Sequence, residues 1–170
     1  NRASQDIEHL QVTSKKQNDF VTEVDKAAEA AIIKVLREAY PDYGILAEES
    51  GQALGDGAGN DYQWIIDPID GTTNFIHGFP QYSVSIALAY KGQLNQAVVY
   101  DPTRNEMFTA SKGGGAFLNE RRIRVTKCLK LEKALIGTGF PFRSFEHIDV
   151  FLSIFKELTE RSSGVRRAGS

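Results

Sequence analysis

The chain has 170 residues, a single cysteine and a formal net charge of −2 from 20 basic and 22 acidic side chains. The two signs are interspersed and nearly balanced, which gives no electrostatic argument for a nucleic-acid or membrane surface, and no apolar run is long enough to span a bilayer. The lone Cys128 excludes an internal disulfide and a cysteine-based zinc site; with 41% hydrophobic and 25% charged residues, the expectation is one cytoplasmic domain of ordinary globular make-up, starting at Asn1 rather than Met.

Lys15 and Lys16 fall in a polar turn before Asp19-Phe20-Val21-Thr22. Residues 22–40 read as a helix. Ala28, Ile32, Val35, Leu36 and Ala39 recur on one face, Thr22 and Asp25 form a Ser/Thr-x-x-Asp/Glu start signal, and Pro41 is a stop. GILAEES, residues 44–50, reads as a short strand ending in acids, and residues 51–63 as a glycine-rich loop. A further strand, Trp64-Ile65-Ile66-Asp67, should end near Asp67, because Pro68 fixes φ and cannot donate a ladder hydrogen bond. Strand-like runs at 82–90 and 94–101 are joined at Lys91-Gly92. Residues 106–111 and 116–125 pair as a hairpin around glycines 113–115, which lack the following Lys-Ser/Thr of a P-loop. A second amphipathic helix covers about 145–161, with Ile148, Phe151, Leu152, Phe155 and Leu158 as its stripe. Consecutive hairpins with helices around them predict an α+β fold, an antiparallel sheet flanked by helices.

The chemistry concentrates in WIIDPIDGTTNF, residues 64–75. Pro68 and Gly71 make an irregular turn on which the Asp67 and Asp70 side chains can converge, and the Ile69 carbonyl can turn inward beside them. Carboxylate, carbonyl and water together suit a hard divalent cation. Thr72-Thr73-Asn74 opens a short helix whose free N–H groups suit a phosphate. Asp-Pro and Asp-Gly are also ordinary turn dipeptides, and Asp70 could serve as a helix N-cap. A second acid pair shifts the balance: Glu48-Glu49 also closes an apolar run, and if the two strands are neighbours Glu48 meets Asp67 and Asp70. A metal beside a phosphate site describes a metal-assisted phosphoryl hydrolase. His9, His77 and His147 do not cluster and read as surface or hydrogen-bonded residues.

WIIDPIDGTTNF, with LAEES and DFVTEVD upstream, resembles the inositol monophosphatase family, and the resemblance covers essentially the whole chain. AVVYDPTRNEMFTASKGGGAFLNERRIRV and GTGFPF resemble its bacterial members most. The resemblance implies Mg2+-dependent, lithium-sensitive hydrolysis of myo-inositol monophosphate to myo-inositol and phosphate by an activated water. Related activities are bisphosphate nucleotidase and sugar-phosphate phosphatase. A different class is a bacterial regulatory relative that contacts RNA or the transcription machinery.

Residue by residue, the resemblance makes Glu48 a metal ligand that orients the attacking water. Asp67 bridges two metals, the Ile69 carbonyl binds metal, and Asp70 belongs to the second metal. Gly71 and Thr72 form the phosphate-contacting turn, the Thr72 hydroxyl also positions water, and Glu48, Ile69 and Asp70 border the substrate. Asp25 is a supporting residue that also fits the third position of a capping box, and Glu49 is structural, or beside the ligands rather than one of them. The implied fold is a layered α/β/α/β/α sandwich, of which residues 1–170 form the N-terminal α+β portion. The C-terminal α/β portion, with a Trp-Asp motif whose aspartate completes the second metal site, lies outside this chain. On its own the chain is therefore expected to be a poor enzyme. A homodimer acting on a small phosphate monoester, without a membrane partner, completes the implied picture.

Overall fold

A computed structural model describes residues 12–16, 19–141 and 144–170. His9 and the side chains of Lys15 and Lys16 lie outside what is described. The backbone of the two lysines belongs to a strand, β1 (Val12–Lys16), rather than to the expected polar turn. After β2 (Asp19–Thr22), helix α1 runs over Glu23–Ala39, within a residue of its expected bounds.

Next come β3 (Gly44–Ala47), β4 (Gly51–Ala53), a 3-10 turn at Gly57–Asp61 and β5 (Tyr62–Asp70). The glycine-rich stretch is thus part strand and part 3-10 turn. The short helix α2 (Thr72–Ile76) leads to β6 (Ser83–Tyr90), β7 (Gln93–Asp101), β8 (Glu106–Ser111), β9 (Gly115–Leu118) and β10 (Arg121–Ile123). The eight strands order as β10-β9-β8-β7-β6-β5-β3-β4. Residues 116–125 are not one hairpin arm. Asn119 and Glu120 both take positive φ, and the chain reverses there into β10. Lys91 and Gly92 likewise both have positive φ, the backbone that a tight two-residue hairpin requires.

The fold is α+β, and six of the seven neighbouring strand pairs in this sheet are antiparallel, as hairpin connections dictate. The exception is β3 with β5, which pair in parallel from Gly44↔Gln63 to Ala47↔Ile66. That exception places the C-terminal ends of both strands at the same end of the sheet.

The core of the sheet is Ile45, Ala47 and Ile66, covered by Ile32, Ile33 and Leu36 of α1 with Trp64 and Ile86 beside them. Of the expected stripe of α1, Val35, which is 64% exposed, and Ala39 face outward, while Ile33 packs inward. At the N-terminal end of β5, Tyr62 stacks on Tyr43 with ring centroids 4.4 Å apart and meets Tyr90 at a tilt, 4.7 Å between centroids. The acids occupy the other end of the strand.

Residues 20–124 with Ser170 form one compact unit, and residues 125–169 belong to a second. Within the second, β11 (Leu135–Thr138) pairs in parallel with β12 (Gly164–Arg167), and α3 spans Ile148–Arg161. Phe140 meets Phe151 and Phe155 at 5.8 and 5.9 Å between centroids, so the expected stripe holds there, whereas Leu152 is exposed. Among the described residues no helix is long and apolar enough to cross a membrane.

Candidate metal centre

Strand β5 does not stop at Asp67; it continues to Asp70 through Pro68. Two features make that possible. Strand β3 ends opposite Ile66, so β5 has no partner on that side beyond it, and the pairing with β6 slips between Asp67 and Asp70. Pro68 therefore sits where the ladder is already interrupted and its missing N–H costs nothing, and its side chain is fully buried. The bulge turns the backbone so that the Ile69 N–H donates to Asp67 Oδ1 at 3.1 Å. Gly71 follows in the left-handed region at φ 97°, and α2 begins at Thr72.

Glu48 is the first residue after β3, and its N–H still donates to the Ile66 carbonyl of β5 at 3.1 Å. The parallel register thus brings the Glu48 carboxylate onto Asp67. Burial, then the charge of Glu48 and a hydrogen bond shared with it, then the charge of Asp70, push the Asp67 carboxyl up from 3.8 to about 7, against the opposing pull of the Ile69 N–H. Two carboxylates forced together share a proton or attract a cation.

The Thr72 hydroxyl lies 3.0 Å from the Ile69 carbonyl oxygen and 3.2 Å from Asp25 Oδ1. It has one proton for two acceptors, and its lone pairs remain free to accept. Asp25 is 2% exposed, so it is not merely a helix-end residue facing solvent. It brings the first turn of α1 against the turn after β5. Asp70 Oδ2 accepts from the Ser170 hydroxyl at 2.9 Å. Among the described residues, no three His, Cys, Asp or Glu side chains converge as a finished metal cluster. Glu48 and Asp67 meet directly, with Asp70 close enough to act on Asp67 through its charge.

Two supports escaped the sequence reading. Glu29, four residues after Asp25, is 3% exposed and accepts the N–H groups of Glu49 and Ser50 at 2.8 and 2.9 Å. Positions i and i+4 share a helix face, and that was the available signal. Behind Gly71, Asn74 Nδ2 donates to the Gln81 carbonyl at 2.7 Å, and Arg104 holds the Gln81 side chain at 3.0 Å while pairing with Asp101. Burial would raise the Asp101 carboxyl, but hydrogen bonds from Thr103 and Arg104 outweigh it and hold it below the usual range. His77 Nδ1 donates to the Thr73 carbonyl, 2.7 Å away, and exposed His147 precedes α3. Neither meets the acids. Glu49 contributes its backbone N–H to the turn.

A profile of the inositol monophosphatase family matches residues 2–170. The chain belongs to that family. A relative from Pseudomonas aeruginosa, named Nus factor SuhB, is 52% identical over 171 residues, covering 99% of this chain and 63% of that protein. The crystal structure of the extragenic suppressor protein SuhB from Bartonella henselae superposes with a TM-score of 0.95 at 39% identity, covering 99% of this chain and 64% of that one. An inositol monophosphatase/NADP phosphatase solved with Mg2+ and phosphate superposes with a TM-score of 0.82 at 30% identity, covering all of this chain and 62% of that one. The chain therefore spans under two thirds of each. Its family fold is the one the DPIDGTT block implied.

Proposed function

We propose that the protein is a Mg2+-dependent phosphatase that hydrolyses myo-inositol monophosphate to myo-inositol and phosphate with water as nucleophile. The observation that carries this is the Glu48–Asp67 carboxylate pair, brought together by the parallel β3–β5 register beside the Thr72–Asp25 contact. The donors fit a hard cation: carboxylates of Glu48, Asp67 and Asp70 and the carbonyl of Ile69, with no nitrogen or sulfur among them. Mg2+ held there would supply Lewis acidity and offset the charge of the phosphate dianion.

The rest falls to the chain. The parallel strand register fixes the backbones of Glu48 and Asp67 relative to one another. Thr72, with its proton engaged by Asp25 or by the Ile69 carbonyl, turns a lone pair toward a water proton and orients the water for attack. Glu48, exposed at the rim, accepts the second proton of that water as the water oxygen bonds to phosphorus and the bond from phosphorus to the inositol oxygen breaks; the leaving oxygen takes up one proton from solvent, and Glu48 returns its own to solvent. Gly71 and Thr72 form the turn that meets the phosphate. The homodimer and the cytoplasmic location implied by the resemblance belong to the same reading.

The test is phosphate release by the protein extended through its C-terminal portion, with and without Mg2+. Inositol 1-phosphate should be preferred over a 3',5'-bisphosphate nucleotide and over fructose 1,6-bisphosphate. A reversed order assigns one of the sister activities, and no Mg2+-dependent release from any of them overturns the reading. The name of the Pseudomonas relative favours a second reading, a regulatory role through RNA or the transcription machinery. Recovery of such partners by an Asp67→Asn variant as efficiently as by the wild type would support it.

A further inference from the structure

Helix α1 carries two buried acids, Asp25 and Glu29, and the phosphatase reading uses only the first. Like charges at i and i+4 weaken a helix, and a buried carboxylate needs compensation. Glu29 receives it from two consecutive backbone N–H groups, Glu49 at 2.8 Å and Ser50 at 2.9 Å, one on each oxygen. Two converging donors demand a group with two acceptors and no donor. An ionised carboxylate meets that demand, whereas a glutamine would turn its NH2 against one of them.

The anchored groups immediately follow Glu48. The Glu48 N–H is held by Ile66, so the Glu48 backbone is fixed on one side by β5 and on the other by Glu29. The Glu48 side chain is exposed, and packing does not set its direction. A cavity of about 500 Å3, lined by Lys26, Glu29, Ile33, Lys34, Glu49 and Ser50, runs along the turn. On that side, open space rather than packed side chains borders the turn once the two hydrogen bonds are cut.

We propose that Glu29 is a positioning residue that aims the Glu48 carboxylate at the cation, so that one face of α1 sets both halves of the site: Asp25 through Thr72, and Glu29 through the turn after Glu48. The proposal rests on the phosphatase reading. Loss of one acceptor in Glu29→Gln frees the Glu49–Ser50 turn, and Glu48 then samples directions that do not meet Asp67.

The experiment uses the protein with its C-terminal portion, in wild-type and Glu29→Gln forms. Amide hydrogen exchange at Glu49 and Ser50 should accelerate about tenfold or more in the variant, because a closed hydrogen bond is lost there. The apparent Kd for Mg2+, read by calorimetry without substrate, should rise about tenfold, and kcat should fall more than KM rises. Glu29→Asp keeps the charge and withdraws the oxygens by one methylene. It should reproduce the Mg2+ defect, and it serves where Glu29→Gln does not fold. Ile33→Ala, a core variant on the same cavity, should lose global stability without changing Mg2+ affinity. Wild-type Mg2+ affinity in Glu29→Gln, or in Glu29→Asp, overturns the positioning role alone. Failure of the wild type to bind Mg2+ overturns the phosphatase reading, and this proposal with it.

Discussion

Replacing Asp67 by Asn should make the metal-free protein more stable while abolishing its response to Mg2+. The Asp67 carboxyl is pushed from 3.8 to about 7 by burial and by Glu48 and Asp70. Between those values the folded state keeps a proton that the unfolded chain has released. Stability therefore falls as pH rises through about 4 to 7, and the whole penalty is present above pH 7. At about 1.4 kcal/mol per pH unit, the upper bound on that penalty is about 4 kcal/mol. Asp67 is only partly buried, and solvent screening reduces the figure to ~1–2 kcal/mol. The amide keeps an acceptor for the Ile69 N–H and removes the charge that meets Glu48. In EDTA at pH 8 the variant should melt about 2–8 °C higher than the wild type, and the difference should vanish near pH 4. Adding Mg2+ at a hundredfold excess over Kd should stabilise the wild type by about 2.7 kcal/mol and leave the variant unchanged. Thermal melts at pH 4, 6 and 8, in EDTA and in Mg2+, read all of this. A variant less stable than the wild type at pH 8 in EDTA would refute the repulsion argument, and an undiminished Mg2+ shift would refute the ligand assignment.

Three further outcomes can be checked separately. Thr72→Val should lower kcat by ~10–100-fold in the C-terminally extended protein at saturating Mg2+, with Mg2+ affinity little changed, because the hydroxyl orients water; the reverse pattern in steady-state kinetics would make Thr72 a metal ligand. Gly71→Ala should cost about 1–3 kcal/mol in urea unfolding, since Gly71 has φ 97° and an added Cβ would stand 3.0 Å from the Gln81 carbonyl oxygen. Asn74→Asp should cost about 1–3 kcal/mol, because it replaces the donor to the Gln81 carbonyl with a second acceptor; unchanged urea stability would show that the loop behind Gly71 is held elsewhere.

The sequence by itself determined α1 and the hairpins β6–β7 and β8–β9, because apolar period and turn residues are local signals. It also suggested that DPIDGTT and the Glu48-Glu49 pair lie close together, and Glu48 does meet Asp67. It could not determine that β3 and β5 run parallel. Strand direction depends on the path of the connection between them, and both directions bury the same alternating side chains. Yet only the parallel arrangement brings Glu48 to Asp67. Nor did it decide between capping and support for Asp25, or point to Glu29, because a carboxylate on a helix looks solvent-facing until the turns it serves fold over it. The passage of β5 through Pro68 was hidden for a related reason. A proline ends a strand only where a partner needs its N–H, and whether a partner stands there is settled by tertiary pairing alone.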